Sequence, residues 1–345
     1  MPFMKQLFLF FVAIQFLSFS AAAQDYDNPL EYMKSISQQR ENVSKKFMSY
    51  ASAAAHGKKA RKVENLRAKL LDEVQEAKMN ISGMPSYKGD KSYRDSTVVF
   101  IKLYYNVLNE DYSKIVNMEE IAEQSYDGME AYMMAQEMVD KKLEEGNDKM
   151  QLATAAFAAK NNITLNKDNS ELGEKMKQVH EVNQYYNDLY LIFFKAYKQE
   201  NYLLEAMDKN NITGIEQNKS SLLRYAQEGL EKLKSIKGFQ GDNSLMSACK
   251  VTMNFFVKEN EKMNTVSEFF LTQERFEIIK KEFAKKSSPS KAEVDAYNKS
   301  VKDMNTAAAA FNSTNQALNK ERNEMLNDWD KTVKIFFDEH TPRYK

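Results

Sequence analysis

The three histidines are the residues best suited to acid–base or metal chemistry in this sequence. They are His56, His180 and His340. His180-Glu181 begins the His-Glu-x-x-His spacing of zinc proteases, but residue 184 is Gln, so the second ligand is missing. Di-iron bundles need a Glu three residues before a ligating His. The residues at those positions are Ala53, Lys177 and Phe337. The histidine pattern therefore predicts neither kind of centre.

Other enzymatic signatures are also missing from the sequence. It contains no P-loop, no Gly-rich dinucleotide turn and no Gly-x-Ser-x-Gly nucleophile elbow. An active site would have to be assembled from scattered Glu, Asp and Tyr side chains. We therefore predict a protein that is not an enzyme and that requires no cofactor and no metal.

The most distinctive candidate for a binding surface is a group of four cations within five residues. This basic segment consists of Lys58, Lys59, Arg61 and Lys62. It follows an Ala-rich stretch that ends at His56-Gly57. Such a cluster suits lipid headgroups, acidic polysaccharide or an acidic protein partner. The alternative is a solvated helix face, with the cations near a helix end where the helix dipole favours them.

Two further groups allow a binding or a packing interpretation. Four methionines at helical spacing would suit a soft metal or fill gaps in a core: Met129, Met133, Met134 and Met138. An aromatic stripe would line a ligand cavity or belong to the core: Tyr185, Tyr186, Tyr190, Phe193, Phe194 and Tyr197. We favour core packing for both groups. The triplet Asp95-Ser96-Thr97 resembles a short O-glycosylation acceptor.

The elements that must position these residues are helices. The chain of 345 residues contains only 10 Gly and 5 Pro, and 43% of its residues are hydrophobic. This composition predicts an ordered, all-α protein. Apolar residues recur at steps of three and four, most clearly from Val98 to Ile115. Asn28-Pro29 predicts the start of the first helix, Gly146-Asn147 predicts a break, and Ser287–Ser290 predicts a linker.

Two similar turns interrupt the helical pattern. Tyr87–Ser92 reads Tyr-Lys-Gly-Asp-Lys-Ser, and Phe239–Ser244 reads Phe-Gln-Gly-Asp-Asn-Ser, 239 − 87 = 152 residues later. Glycine permits a tight turn, and aspartate caps the start of a helix. We therefore predict a structural role at both turns for Gly89, Asp90, Gly241 and Asp242.

Other landmarks recur at nearly the same spacing. They are Leu70-Leu71 with Leu222-Leu223 (222 − 70 = 152), Ala153–Phe157 with Ala307–Phe311 (307 − 153 = 154), and Asn162–Lys167 with Asn315–Lys320 (315 − 162 = 153). The order and spacing predict a tandem duplication. Each copy would form a bundle of about four helices, the first over residues 24–168 and the second over 169–345, with a long C-terminal helix.

Residues 1–23 have the features of a cleaved secretory signal peptide. Lys5 precedes an apolar run from Leu7 to Phe19, and Ala21-Ala22-Ala23 forms a cleavage site before Gln24. The cleavage region has no Cys, which excludes a lipoprotein. No later run approaches the ~20 apolar residues of a membrane span. We expect export to the periplasm or cell surface of a Gram-negative bacterium.

The charge balance and the cysteine count restrict the function further. The chain has 49 basic and 49 acidic residues, and loss of Lys5 with the signal gives a net charge of 48 − 49 = −1. That balance argues against a nucleic-acid partner. Cys249 is the single cysteine, so stability must come from packing rather than from an internal disulfide.

One stretch resembles a known family. The run from Ser49 to Glu64 reads Ser-Tyr-x-Ser-Ala-x-Ala-His-Gly-Lys-x-Ala-Arg-Lys-Val-Glu. It is similar to a signature of an uncharacterised family of exported, helical bacterial surface proteins. The rest of the mature chain is similar to that family only in helical character and length. The resemblance implies an exported, surface-associated helical protein, and it assigns no catalytic residue.

These observations lead to two expected functions. The first is an exported, non-enzymatic helical protein with a structural or interaction role in the cell envelope, whose partner is an envelope component or another protein. The second is a small-ligand or metal-binding helical module that uses a cleft between the two repeats.

Overall fold

The computed structural model describes residues 26–111, 122–165 and 170–344. Within these ranges the chain forms helices and no β-strand, which confirms the all-α prediction. The predicted signal peptide at residues 1–23 lies outside the described residues. So do Tyr112 and Ile115 at the end of the clearest apolar stripe, and residues 166 and 167 of one repeated landmark.

The described part of the chain contains eight α-helices. The first four are α1 (Pro29–Ala55), α2 (Ala60–Gly83), α3 (Ser92–Asn106) and α4 (Tyr126–Lys160). A π-helical turn, Val107–Asp111, extends α3. The next four are α5 (Glu171–Asp208), α6 (Ile212–Leu233), α7 (Ser244–Ala284) and α8 (Lys291–His340). None of the described helices has both the length and the apolar character that crossing a bilayer requires.

Capping side chains fix several helix starts, and the sequence predicts the one at Asn28. The Asn28 Oδ1 atom accepts a hydrogen bond from the Leu30 backbone N–H at 2.9 Å, with Pro29 at the first helical position. Ser290 and Glu293 form a reciprocal capping box at the start of α8. The predicted start at Asn28-Pro29 and the predicted linker before residue 291 are therefore confirmed.

The predicted break at Gly146-Asn147 is wrong, because α4 continues through both residues. A Cβ atom on Gly146 would lie 2.5 Å from the Leu103 Cδ2 atom and 3.4 Å from the Phe100 Cδ2 atom. The missing side chain lets α4 approach α3 closely. The glycine thus serves helix packing rather than helix termination.

The first core lies among α1 to α4. Sequence neighbours pack as pairs along this half, α1 on α2, α2 on α3 and α3 on α4. Tyr32 of α1 contacts Tyr87 and Phe157, with ring centroids 5.5 Å and 5.7 Å away, and Tyr93 stacks on Phe157 at 5.1 Å. Aromatic contacts therefore hold the turn before α3 between the start of α1 and the end of α4.

The second core lies mainly among α5 to α8. Phe193 of α5 stacks on Trp329 of α8 with ring centroids 4.3 Å apart. The beginning of α4 also enters this core, because Met129 and Met133 are buried within it. Helix α4 therefore packs into the second core at its start and into the first core near its end, where Phe157 lies.

The buried positions of α2 recur in α6 at one spacing of 152 residues. Each member of both sets is buried, and the sets are Leu70, Val74, Ala77 and Ile81 in α2, and Leu222, Ala226, Gly229 and Leu233 in α6. The two Gly-Asp turns also share a geometry. Gly89 and Gly241 have φ values of 82° and 95°, and an isolated bridge joins Tyr87 to Asp90 and Phe239 to Asp242.

The last helix of each half departs from this regular spacing. Phe311, which matches Phe157 in the sequence repeat, stacks on Phe269 at 4.3 Å instead of meeting the turn. Phe336 contacts the second turn, with its ring 5.5 Å from that of Phe239. The hairpin of α7 and α8, with 41 and 50 residues, is therefore longer than its counterpart in the first half.

Candidate functional site

The basic segment forms the connection between α1 and α2. Gly57 turns the chain with φ 61°, Lys58 and Lys59 follow in the loop, and Arg61 and Lys62 lie in the first turn of α2. All four cationic side chains are exposed, and none forms an ion pair within the described residues. The positive end of the α2 dipole lies at Arg61 and Lys62, so the dipole disfavours these two charges.

A junction next to the basic segment joins α1 to the end of α8. The His56 Nδ1 atom lies 2.8 Å from the Asp338 Oδ1 atom, and the His56 side chain is only 4% exposed. The hydrogen bond from His56, followed by the charge interactions with His56 and Arg343, lowers the pKa of Asp338. The Tyr344 backbone N–H donates to the Ser52 Oγ atom at 3.0 Å. The basic segment is therefore held in a defined position against the C-terminal helix.

The aspartates of the two Gly-Asp turns bind different partners. Asp90 accepts hydrogen bonds from the Ser92 N–H at 2.9 Å and from the Lys160 Nζ atom at 2.7 Å. These hydrogen bonds lower the pKa of Asp90 to about 2, and the bond from Lys160 contributes most. Asp242 accepts from the Ser244 N–H at 2.7 Å and lies 2.8 Å from the His340 Nε2 atom.

The second turn brings three groups with metal-ligand chemistry together. Ligand atoms of Asp242, Glu339 and His340 all lie within 4.8 Å of one another. Burial tends to raise the pKa of Asp242, but the hydrogen bonds from Ser244 and His340 lower it overall. Two carboxylates and an imidazole are suitable ligands for Zn²⁺. The structure thus brings together Asp242, which the sequence predicted only as a helix cap, and His340, which fits no metal-binding sequence motif.

A second polar cluster is buried in the second core. Arg322 of α8 donates from its Nε atom to Glu200 of α5 and from its Nη2 atom to Glu259 of α7, and its Nη1 atom donates to Asn319. The Glu200 and Glu259 side chains are 1% and 0% exposed. We call Glu200, Glu259 and Arg322 the buried ionic triad. Buried charges of this kind are expensive unless they are fully paired.

Sequence reasoning missed the buried ionic triad, although its members on α7 and α8 interrupt apolar stripes. In α7, Glu259 follows Phe256 by three residues and precedes Met263 by four. In α8, Arg322 follows Leu318 by four residues and precedes Met325 by three. Charged residues at such stripe positions face a core, so this spacing was the signal for the cluster.

Two grooves mark the surface of the second half. A groove of about 340 Å³ separates the start of α4 from α5 and α6. Lys195 lines this groove and contacts its aromatic rings. The Lys195 Nζ atom lies 5.2 Å and 4.3 Å from the ring centroids of Tyr126 and Tyr225, and 3.0 Å from the Glu228 Oε2 atom. A groove of about 410 Å³ runs between α7 and α8 beside Trp329.

The methionine group divides between two environments. Met129 and Met133 are buried in the second core, whereas Met134 and Met138 are 57% and 71% exposed. The four thioethers therefore do not share one environment. The aromatic stripe packs in the second core, where Tyr190 stacks on Phe194 and several neighbouring rings also meet.

The remaining two sequence candidates take separate positions. His180 is exposed on α5. In the triplet Asp95-Ser96-Thr97, the Thr97 side chain is fully buried and its Oγ1 atom donates to the Tyr93 carbonyl at 2.9 Å. A glycan on Thr97 would therefore require local unfolding of α3.

No protein-family model, curated protein or solved structure matches this chain.

Proposed function

We propose that this chain is an exported, non-enzymatic protein of the bacterial cell envelope, and that its basic segment binds an anionic envelope component. The observation that carries the proposal is the state of the four cations. All are exposed and without an ion pair among the described residues, and they lie beside the His56–Asp338 junction. The predicted signal peptide supports export.

Helix electrostatics support a binding role over a purely structural one. The C-terminal end of α1 favours Lys58 and Lys59, but Arg61 and Lys62 lie at the positive end of α2. A cation at this end is unfavourable by a few tenths of a kcal/mol to ~1 kcal/mol. An anionic partner relieves that repulsion when it binds.

We further propose that the architecture arose by tandem duplication, with copies at residues 24–168 and 169–345. The buried positions of α2 and α6 support this proposal, because they share one spacing of 152 residues. The shared geometry of the Gly-Asp turns adds to the support. The longer α7–α8 hairpin would be a later extension of the second copy.

Retention on washed cells tests the binding proposal. We would replace Lys58, Lys59, Arg61 and Lys62 by Gln, which removes the charges while preserving helix propensity. The matched control replaces four other exposed lysines without ion pairs, Lys281, Lys285, Lys291 and Lys299, by Gln. Both variants lose the same net charge.

The expected result is that the variant of the basic segment is released into the wash while wild type and control stay on the cells. Equal retention of all three proteins would refute the basic segment as the binding surface. Fractionation and N-terminal sequencing of the same samples test export, with the mature chain expected to begin at Gln24.

The Asp242–Glu339–His340 group favours a second candidate function, a metal-binding module. The ligand atoms of these residues already lie within 4.8 Å of one another, and the rings of Phe239 and Phe336 lie 5.1 Å and 4.8 Å from the His340 ring. A divalent metal would replace the proton between Asp242 and His340.

Calorimetric titration with Zn²⁺ tests the second candidate. Wild type and the control His180→Ala are expected to bind one Zn²⁺ with the same affinity, and His340→Ala is expected to lose that binding. Equal binding by His340→Ala would exclude the site.

A further inference from the structure

Two acceptor atoms of the buried ionic triad have no donor among the described residues. The Arg322 Nε and Nη2 atoms each donate to the Oε1 atom of one carboxyl, and its Nη1 atom is occupied by Asn319. The Oε2 atoms of Glu200 and Glu259 are buried and have no hydrogen-bond partner. Two buried acceptors without a donor are costly, and a proton on the Glu259 Oε2 atom would supply a donor for the Glu200 Oε2 atom.

The charge of the triad leads to the same conclusion. With both carboxyl groups ionised, one cation faces two anions and a net charge of −1 is buried. With one proton bound, the triad is neutral. Burial and then the charge of Glu200 raise the pKa of Glu259 to about 8, against the opposing effect of the Arg322 charge.

The other polar groups nearby are engaged elsewhere. On α7 and α8, Lys258 and Lys262 bind Glu321 at 2.7 Å and 3.3 Å. On α6, Lys219 binds Glu216 at 2.7 Å.

Two amide side chains that adjoin Glu200 and Glu259 in the sequence are also hydrogen-bonded to other groups. The Gln199 Nε2 atom of α5 donates to the Asn218 Oδ1 atom of α6 at 2.7 Å, and the Asn260 Nδ2 atom of α7 donates to the Lys219 carbonyl. No described group supplies a donor to the two free oxygens.

We propose that Glu259 is a proton-binding site, in which its protonated free oxygen donates to the free oxygen of Glu200 and holds α8 against α5 and α7. Helix α8 connects the site to the His56 junction. It continues from Arg322 through Trp329, which packs on Phe193, to Asp338, which contacts His56. Loss of the proton leaves two like charges on one guanidinium in a water-poor core. It therefore loosens α8 and, through α8, the junction beside the basic segment.

The sign of the pH dependence follows from the raised pKa of Glu259. Between the ordinary value of 4.5 and about 8, the folded protein keeps a proton that the unfolded chain releases. Stability is therefore highest at the acidic end of this window and falls as the pH rises through it. This dependence is opposite to that of a carboxylate stabilised in its ionised form.

Thermal unfolding from about pH 5 to about pH 9 tests the proposal in wild type, Glu259→Gln and the control Glu321→Gln. The amide introduced by Glu259→Gln can donate to Glu200 and accept from Arg322, so it mimics the protonated carboxyl. The melting temperature of wild type and of the control is expected to fall as pH rises, and that of Glu259→Gln is expected to stay nearly level. An equal fall in Glu259→Gln would overturn the proposal, as would a level profile in wild type.

Two measurements on wild type keep the test decisive if the variant does not fold. Infrared spectroscopy is expected to show the carbonyl band of one buried, protonated carboxyl per chain near pH 6, and its loss near pH 9. Absence of that band near pH 6 would refute the site. Hydrogen exchange, corrected for its intrinsic pH dependence, is expected to accelerate in α8 over the same range. Unchanged protection in α8 would refute the coupling between the proton and helix docking.

Discussion

The two halves of the molecule place different side chains at buried positions that lie 152 residues apart. Val107, 3% exposed, is buried in the first half, and Glu259 is buried 259 − 107 = 152 residues later. Met48 of α1, which is fully buried, and Glu200 of α5 are likewise 200 − 48 = 152 residues apart. Because apolar residues serve these positions in the first half, packing does not require charge there. The comparison therefore predicts that helix packing in the second half does not require the buried ionic triad.

The two Gly-Asp turns show the same contrast on a smaller scale. Lys160 binds Asp90 through a side chain that is 66% exposed, whereas His340 meets Asp242 with its ring between aromatic neighbours. The turns have the same backbone geometry but different partners. In both comparisons the polar chemistry of the second half lies closer to a buried core.

The largest expected effect comes from removing the cation of the buried ionic triad. We expect Arg322→Met to lower the free energy of unfolding by about 3–5 kcal/mol, because two buried carboxyl groups lose their partner. Urea denaturation measures this effect. The variant that combines Glu200→Met, Glu259→Val and Arg322→Met copies the apolar character of the first half and should recover most of the loss. No recovery would contradict the comparison.

The reverse change should place an unpaired carboxyl in the first half. We expect Val107→Glu to lower the free energy of unfolding by about 3 kcal/mol near pH 8, because no described arginine corresponds to Arg322 there. The loss should be smaller near pH 5, where a desolvated carboxyl takes up a proton. Val107→Gln is the control without a charge. Denaturation at both pH values should show a loss that depends on pH in Val107→Glu and not in Val107→Gln.

A third comparison concerns the close approach of α6 to its neighbours. Ala77 of α2 corresponds to Gly229 of α6, where a Cβ atom would lie 3.0 Å from the Ile192 Cγ2 atom and 2.8 Å from the Met253 Sδ atom. We expect Gly229→Ala to lower the free energy of unfolding by about 1–2 kcal/mol through overpacking. The matched control Gly83→Ala, where a Cβ meets no atom within 4 Å, should be neutral or stabilising. Equal effects in thermal denaturation would argue against overpacking.

The smallest effect is expected at the first turn. Lys160 is 66% exposed, so Lys160→Met should cost less than about 1 kcal/mol, and added salt should reduce the difference. The contribution of the lowered pKa of Asp90 is present above 3.8 and is lost as the pH falls towards about 2. Thermal melts of both proteins across this acidic range measure it, and a salt-insensitive difference would count against the ion pair.

The helices and many of their limits follow from the sequence because their causes are local. Asn28 and Ser290 cap helices through residues at most three positions away, so their spacing alone reveals them. Gly146 misleads sequence reasoning, because the reason for the glycine is Leu103 on another helix.

The candidate sites depend on contacts across the chain and were predicted less well. Arg322 lies 63 residues from Glu259 and 122 from Glu200, so no short motif contains the buried ionic triad. The basic segment was visible as a run of charges, but its position at the start of α2 depends on where the helices end. Only the interrupted apolar stripes pointed to buried charge.

The His56–Asp338 contact also bears on the order in which the chain folds. It joins residues 282 positions apart, so its loop-closure entropy is among the largest in the fold. Helical pairs close in sequence can form quickly, while this contact must wait until the end of α8 has been synthesised. Its formation is therefore a late kinetic event. Until the end of α8 docks, the His56 ring at the end of α1 lacks its Asp338 partner.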